Sequence, residues 1–377
     1  MPTIRSHALP TFGLCLSLIG ALLSPVAEAA DPEGKSQYAF EEIEIPGASA
    51  DEPIREAFSL QAALAYVEHG AEAWTKKKNC VSCHTNGSYL LTRPALTKIA
   101  GAPADEIRRF FVEELKELEK EDREKLKKGI TPTQIAYIAA GLAEWDEHVT
   151  KRRSPETDAA LRLMFAVQAA DGSFSNEDCW PPLESSNFHG ATVAAMAAAA
   201  APGWIEETRA ADFDLASRYN RLMTFLRDTA PPHDYARLLL LWVSTQVPDL
   251  IDERRKESIV NLIWSHQQRD GGWSLRRFAT PETWGSGNRA EKLHAEPESK
   301  NPPSDGHMTG LAVLVLREAG VEKSDPRIEQ AVRWIKANQR ESGRWWTRSL
   351  NTDKYHFITY SGTCYPLLAL ARCDALR

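Results

Sequence analysis

Cys80-Val81-Ser82-Cys83-His84 sets two thiols two residues apart and an imidazole directly after the second. At that C-x-x-C-H spacing two cysteines can bond the vinyl groups of one haem while the next residue lies under the iron. Cys80 and Cys83 are the candidate thioether ligands of one covalent haem c, and His84 is the candidate proximal iron ligand. A redox-active C-x-x-C that happens to precede a histidine is the alternative. Arg93, one turn further along the next helix than Tyr89, is the candidate partner for a haem propionate, or else a cation on a helix surface.

Haem of this kind is attached on the export side in bacteria, and the N-terminus agrees. Arg5, an apolar run from Leu14 to Leu23, and Ala27-Glu28-Ala29 read as a cleaved signal over residues 1–29. The run is too short to span a bilayer, and no later stretch approaches the length of a membrane helix. The expectation is an exported, periplasmic or secreted protein with no transmembrane segment. The remaining chain, about 348 residues, suffices for one large core. A net charge of −7 argues against nucleic acid as a partner. Cys179, Cys364 and Cys373 are left over in an oxidising compartment, where one disulfide among the three is expected, its pair undetermined.

The elements that must position this motif are repetitive. Gln168 to Phe174, Gln267 to Trp273 and Gln339 to Trp345 share the pattern Q-x-x-[DS]-G-x-[FW]. Each closes an amphipathic helix, expected over 159–167, 258–266 and 328–338, and each precedes a more uniformly apolar helix starting near Gly190, Gly310 or Gly362. Repeats on this scale indicate stacked units that bury one continuous core. Weaker copies pair 213–227 with 235–243, and a charged helix over 104–127 with one from Thr131 to about Trp145. The first copy pairs 60–77 with a helix near Gly87, so the C-x-x-C-H run stands where other copies carry the Gln-Gly-aromatic turn. Six helical hairpins result, with inner helices beginning near residues 87, 132, 189, 234, 308 and 361. They close into an all-α, α/α toroid over 57–377. Residues 30–56 are expected to form an extended arm, and 276–303 a surface loop or mobile lid.

The Gln-Gly-aromatic turns resemble the QW repeats of squalene–hopene cyclases and the related prenyltransferase β-subunits, both α/α toroids. The resemblance covers most of 156–377 and speaks to fold more than to activity. Those cyclases resemble two fused toroids, whereas this chain is long enough for one. Their general acid lies in a D-x-D-D motif, and the nearest string here is Asp212-Phe213-Asp214-Leu215. It opens an outer helix, where aspartates cap the helix and oppose its dipole. Terpene cyclisation by that acid is therefore not expected. The prenyltransferase zinc set finds at best Asp178, Cys179 and a distant histidine, and an exported protein does not meet prenyl diphosphates. The chain looks like a squalene-cyclase-like toroid that carries a cytochrome c-type haem turn.

In such a ring the inner helices run parallel and their N-termini gather at one mouth. Tyr89, Thr133, His189, His233, Tyr235, His307, Tyr360 and Ser361 are expected there, with Thr131, Asp234 and Asp305 as N-caps. His189 and His307 are the candidate distal iron ligands. Met196 and Met308 are thioether alternatives, and an open site with a histidine as acid–base partner is another. Trp180, on a loop stiffened by Pro181-Pro182, is placed over the mouth or in a packed connector. Three functions follow. The favoured one is haem electron transfer or redox chemistry with a redox partner protein. The second is a peroxidase-like haem enzyme, or a cavity enzyme or binder for a hydrophobic isoprenoid. The third is a protein-recognition toroid with structural haem.

Overall fold

A computed structural model describes residues 36–176 and 180–377. The expected signal, Asp178 and Cys179 lie outside the described residues. Six outer helices, Leu60–Lys78, Asp105–Lys120, Pro155–Ala166, Phe213–Asp228, Glu253–Ser265 and Pro326–Ala337, alternate with six inner ones. The inner set is Asn86–Thr92, Thr131–Trp145, Asn187–Ala200, Asp234–Gln246, Gly306–Glu318 and Ile358–Arg372.

Burial separates the two sets as their composition demands. Asp105–Lys120 buries only Ile107, Phe111, Val112 and Leu115, which share one helix face. Gly306–Glu318 buries every residue from Gly306 to Leu316, because neighbours surround it. Side-chain oxygens of Ser59, Ser154, Asp212, Asp252 and Asp325 cap five of the outer helices. Each inner helix touches the next and the sixth touches the first, so the ring is closed. The architecture is an all-α, α/α toroid.

The repeated turns explain the closure. Gln168 Nε2 donates to the Gly172 carbonyl of its own turn and to the Arg218 carbonyl of the next outer helix, both at 3.1 Å. Gln267 does the same with Gly271 and Arg327, at 3.0 Å each. Gln339 donates to Gly343 and to Ser59 at 2.9 Å, and its Oε1 accepts from the Ser59 amide at 2.7 Å. Ser59 begins the first outer helix, so the last copy of this contact joins the end of the ring to its beginning. Gly172, Gly271 and Gly343 all adopt φ between 93° and 95°. A side chain at Gly343 would overlap the Ala62 carbonyl of the first outer helix. The indoles of Trp273 and Trp345 donate back to Ile263 and Ile335 of their own outer helices, at 2.7 and 2.6 Å.

Three expectations change. Residues 36–46 are not an extended arm but an antiparallel hairpin, Ser36–Phe40 with Ile43–Pro46. The chain after it straps the last turn: Arg344 binds Glu52 at 2.6 Å and the Pro46 carbonyl at 2.7 Å, and the Arg55 amide donates to Gln339 at 2.8 Å. The 276–303 segment is folded rather than loose, with Phe278, Trp284 and Leu293 buried. Cys364 and Cys373 are both unpaired. They lie on and at the end of one helix, nine residues or about 13 Å apart along its axis, which a disulfide cannot span. Pairings with Cys179 fall outside the described residues.

Substitution at the seam tests the closure. Gly320 has φ +90° with open space around it, so Gly320→Ala is expected to lose about 1 kcal/mol from the left-handed backbone alone. Gly343→Ala adds a clash with rigid helix backbone and is expected to lose about 3 kcal/mol or more. Urea unfolding of both variants measures the difference; equal losses would count against a tight seam.

Candidate functional site at the mouth of the ring

The C-x-x-C-H run forms the turn between the first outer and first inner helices, and Asn86 organises it from within the same hairpin. Its Oδ1 accepts from the Ser82 amide at 2.8 Å, and its Nδ2 donates to the Cys80 carbonyl at 3.0 Å and to Thr75 at 3.2 Å. Ser88 Oγ donates to the Cys83 carbonyl at 2.7 Å. The turn is thus fixed from four sides. Cys80 and Cys83 are unpaired thiols, the first half-buried and the second buried. Burial and the neighbouring Glu184 carboxylate push the Cys83 thiol well up, and the thiol lies near enough to Tyr137 and Tyr235 for ionisation of either to oppose that of the other.

His84 is gripped by aromatic rings. It stacks on Phe357 with centroids 5.1 Å apart and meets the edge of Trp74 at 4.7 Å. Its Nδ1 lies 2.7 Å from Thr85 Oγ1, while Nε2 has no hydrogen-bond partner among the described residues. Burial lowers its pKa to about 4, so the ring is neutral at physiological pH. Two unpaired thiols on one short turn, beside a neutral imidazole tied at one nitrogen and open at the other, suit a covalently held haem.

The expected distal residues are at the mouth, and Nε2 of each is engaged. Tyr137 Oη is 3.0 Å from His189 Nε2, and Tyr235 Oη is 3.0 Å from His307 Nε2. His307 Nδ1 also bonds Ser361 Oγ at 3.0 Å, so both of its nitrogens are occupied. Met196 and Met308 are packed in the core. Arg93 does not face the mouth. It is buried on Glu68, at 2.9 and 2.8 Å, and on the carbonyls of Ala100 and Gly101, where it ties the first hairpin to the following loop. Asp305 caps its helix as expected, accepting from the Met308 amide at 2.9 Å. Asp234 does not: His233 Nδ1 accepts from the Ala236 amide at 3.1 Å, and Asp234 instead meets His266 at 2.8 Å. Asp212 and Asp214 are helix-surface residues bonded to Arg162 and Arg218, which agrees with a capping role.

Three loops meet over the mouth. Asn351 donates to the Pro181 carbonyl at 2.8 Å, and Arg276 donates to the carbonyls of Arg348 and Ser349 at 3.1 and 3.2 Å. Arg276 and Lys292 converge on buried Glu296, at 2.5 and 2.9 Å. Trp180 turns outward, 52% exposed, with Arg289 above its ring. The aromatic residue that does cover the mouth is Trp284, 4.8 Å from His233 and 5.6 Å from Tyr235. Sequence reasoning missed it, since it sits in a polar, Gly- and Glu-rich segment; a lone tryptophan there was the available signal. A cleft of about 740 Å³ lies away from this chemistry, between Ala199–Gly203 and Gln246–Leu250 at the other end of the inner helices.

The closed ring, its Gln-Gly-aromatic turns and its mouth of helix N-termini define a squalene-cyclase-like α/α toroid. Residues 241–375 match the squalene-hopene cyclase C-terminal domain. A type II terpene cyclase from Scytonema, in complex with its substrate geranylgeranyl dihydroxybenzoate, is similar over 84% of this chain and 98% of its own, with 11% identity and a TM-score of 0.44. No curated protein matches the chain in sequence. Among the described residues no helix is long and apolar enough to cross a membrane, and no group of three or more His, Cys, Asp or Glu side chains is arranged to hold a metal ion.

The buried imidazoles set the pH response. Burial lowers the pKa to about 4 for His84, His233 and His356, and to about 3 for His189 and His307. Unfolded, they titrate near about 6.5. Between about 6.5 and 4 the unfolded chain binds more protons, so stability is lost as pH falls through that window. Asp305, raised by burial from 3.8 to about 6, acts in the opposite sense and offsets part of the loss. The expected outcome is a melting temperature that drops steadily from pH 7 to pH 4.5, with net proton uptake on unfolding. Calorimetry at graded pH checks it, and a flat profile contradicts it.

Proposed function

We propose that the protein is an exported c-type haem protein in which a squalene-cyclase-like ring serves as scaffold for electron transfer or related redox chemistry with a partner protein. The observation that carries this reading is the first turn. It has lost the glutamine contact of its siblings, is rebuilt around Asn86, and presents Cys80, Cys83 and a neutral His84 with Nε2 open. When bound, haem supplies a reversible one-electron couple.

The chain's own residues define the rest. Thr85 fixes the orientation and tautomer of His84 through Nδ1, as partners behind a metal-bound imidazole do. Phe357 and Trp74 hold the ring in place and keep water from its faces. The unshared negative charge of the chain, −7, favours a partner with a basic docking face. Export rests on the Arg5, Leu14–Leu23 and Ala27-Glu28-Ala29 order. A second reading, a hydrophobic small molecule held in the ring, draws on the squalene-hopene cyclase C-terminal match over 241–375.

Expression with its leader in a host competent for c-type haem maturation tests the proposal. The expected product is coloured, keeps its pigment through acid acetone, and shows sharp reduced bands that carbon monoxide leaves in place. Cys83→Ala is expected to abolish the two-bond attachment, and His84→Ala to turn the iron high-spin. A colourless product overturns the haem reading, and a large carbon monoxide shift replaces electron transfer with an open haem site.

A further inference from the structure

The two tyrosine–histidine pairs at the mouth are alike at one end and different at the other. In the first, Tyr235 donates to His307 Nε2, so Nδ1 carries the proton and donates to Ser361 Oγ, which donates in turn to the Ile358 carbonyl at 3.0 Å. That chain is satisfied throughout. In the second, Tyr137 donates to His189 Nε2, and the N–H left at Nδ1 is buried with no partner among the described residues.

Two more orphan donors adjoin it. His233 Nδ1 accepts from a backbone amide and therefore has no proton, which places the proton on Nε2; that atom is also buried and unpartnered. Trp284 Nε1, which can only donate, is the third. Trp284 packs on His233 at 4.8 Å, and His189 stands at the start of the adjacent inner helix, where the His233 imidazole further disfavours its charge. The three residues are 2%, 5% and 1% exposed. A buried N–H without an acceptor costs about 1–3 kcal/mol, and native structures keep few of them. Two such donors packed on each other, with a third at the start of the adjacent inner helix, offer a place for an acceptor.

The surrounding charges say what kind. The imidazoles are neutral donors, and the carboxylates felt by their tyrosine neighbours are Asp305, beside Tyr235, and Glu184, beside Tyr137. Arg237 is paired with Asp234, and Arg276 with Glu296. An anion would meet repulsion there with no available countercharge. A neutral carbonyl oxygen takes N–H bonds without that penalty, and the flat faces of Trp284, Tyr235 and Tyr137 suit a flat partner.

We propose that His189, His233 and Trp284 form a binding site for a flat, uncharged carbonyl compound of the quinone type, held beneath the lid loops. It is tested by calorimetric titration of the full exported chain with three probes of one shape. These are 2,3-dimethyl-1,4-naphthoquinone, whose blocked ring carbons do not add thiols, 2,3-dimethylnaphthalene, and 1-naphthoate. The quinone is expected to bind at least about tenfold tighter than either of the others, the size of two neutral hydrogen bonds. Trp284→Phe keeps the ring and removes one donor, and is expected to weaken quinone binding about fivefold while leaving the hydrocarbon unchanged. Equal binding of the hydrocarbon, tighter binding of the naphthoate, or no binding of any probe overturns the proposal. Should Trp284→Phe fail to fold, the ranking on the unaltered protein decides.

Discussion

One glutamine amide holds this architecture together by serving two helices at once. Its two N–H groups are shared between a carbonyl of its own turn and a carbonyl in the first half of the next outer helix. The angle between successive hairpins is thereby set by hydrogen-bond geometry rather than by side-chain volume alone. Repeated, a fixed angle makes an arc, and the arc ends where Gln339 finds Ser59. Copies without the glutamine are joined by other polar means. Thr133 reaches the Ser175 carbonyl at 3.0 Å, and Asp234 reaches His266 of the following turn.

Closing the ring turns a repeat into a site. Residues far apart in the chain, such as Cys83, His189, His233 and His307, share one small volume because each stands at the beginning of an inner helix or its preceding turn. Six parallel inner helices direct their free amide ends to that same volume, where caps from Asp305, His233 and Ser186 satisfy them. The outcome is a polar mouth lined by groups that burial keeps uncharged. In such low-dielectric surroundings an unused N–H retains most of its hydrogen-bonding strength.

Much of this was legible from spacing. The three Gln-Gly-aromatic turns located the hairpins, and the inner helices begin within three residues of where periodicity placed them. The cysteines and histidines of the first turn and the mouth were visible as residue types at helix starts. What they touch was not. Arg93 is claimed by Glu68, a partner 25 residues earlier, and no local pattern reports such a pairing. His233 displaced Asp234 as cap because an imidazole Nδ1 reaches the helix amide as well as a carboxylate does, leaving the acid for His266. Trp284, the folded lid and the Ser36–Pro46 hairpin come from segments without periodicity, whose structure is imposed by what they cover. Residues 1–29, read as a signal from their sequence, and Cys179 lie outside the described residues.

The position of His84 follows from the same closure. Trp74, which stands perpendicular to it, belongs to the first outer helix, while Phe357, which stacks on its face, is the cap of the sixth inner helix. Tyr38 of the N-terminal hairpin touches both of these rings, at 5.4 and 6.2 Å. The imidazole is therefore clamped by the beginning of the chain and by its end, at the one joint where the ring must meet itself. Parting the joint would release Phe357 and leave His84 held by Thr85 and Trp74 alone. The orientation of this ring thus rests on closure of the ring, to which the bond between Gln339 and Ser59 contributes without touching it.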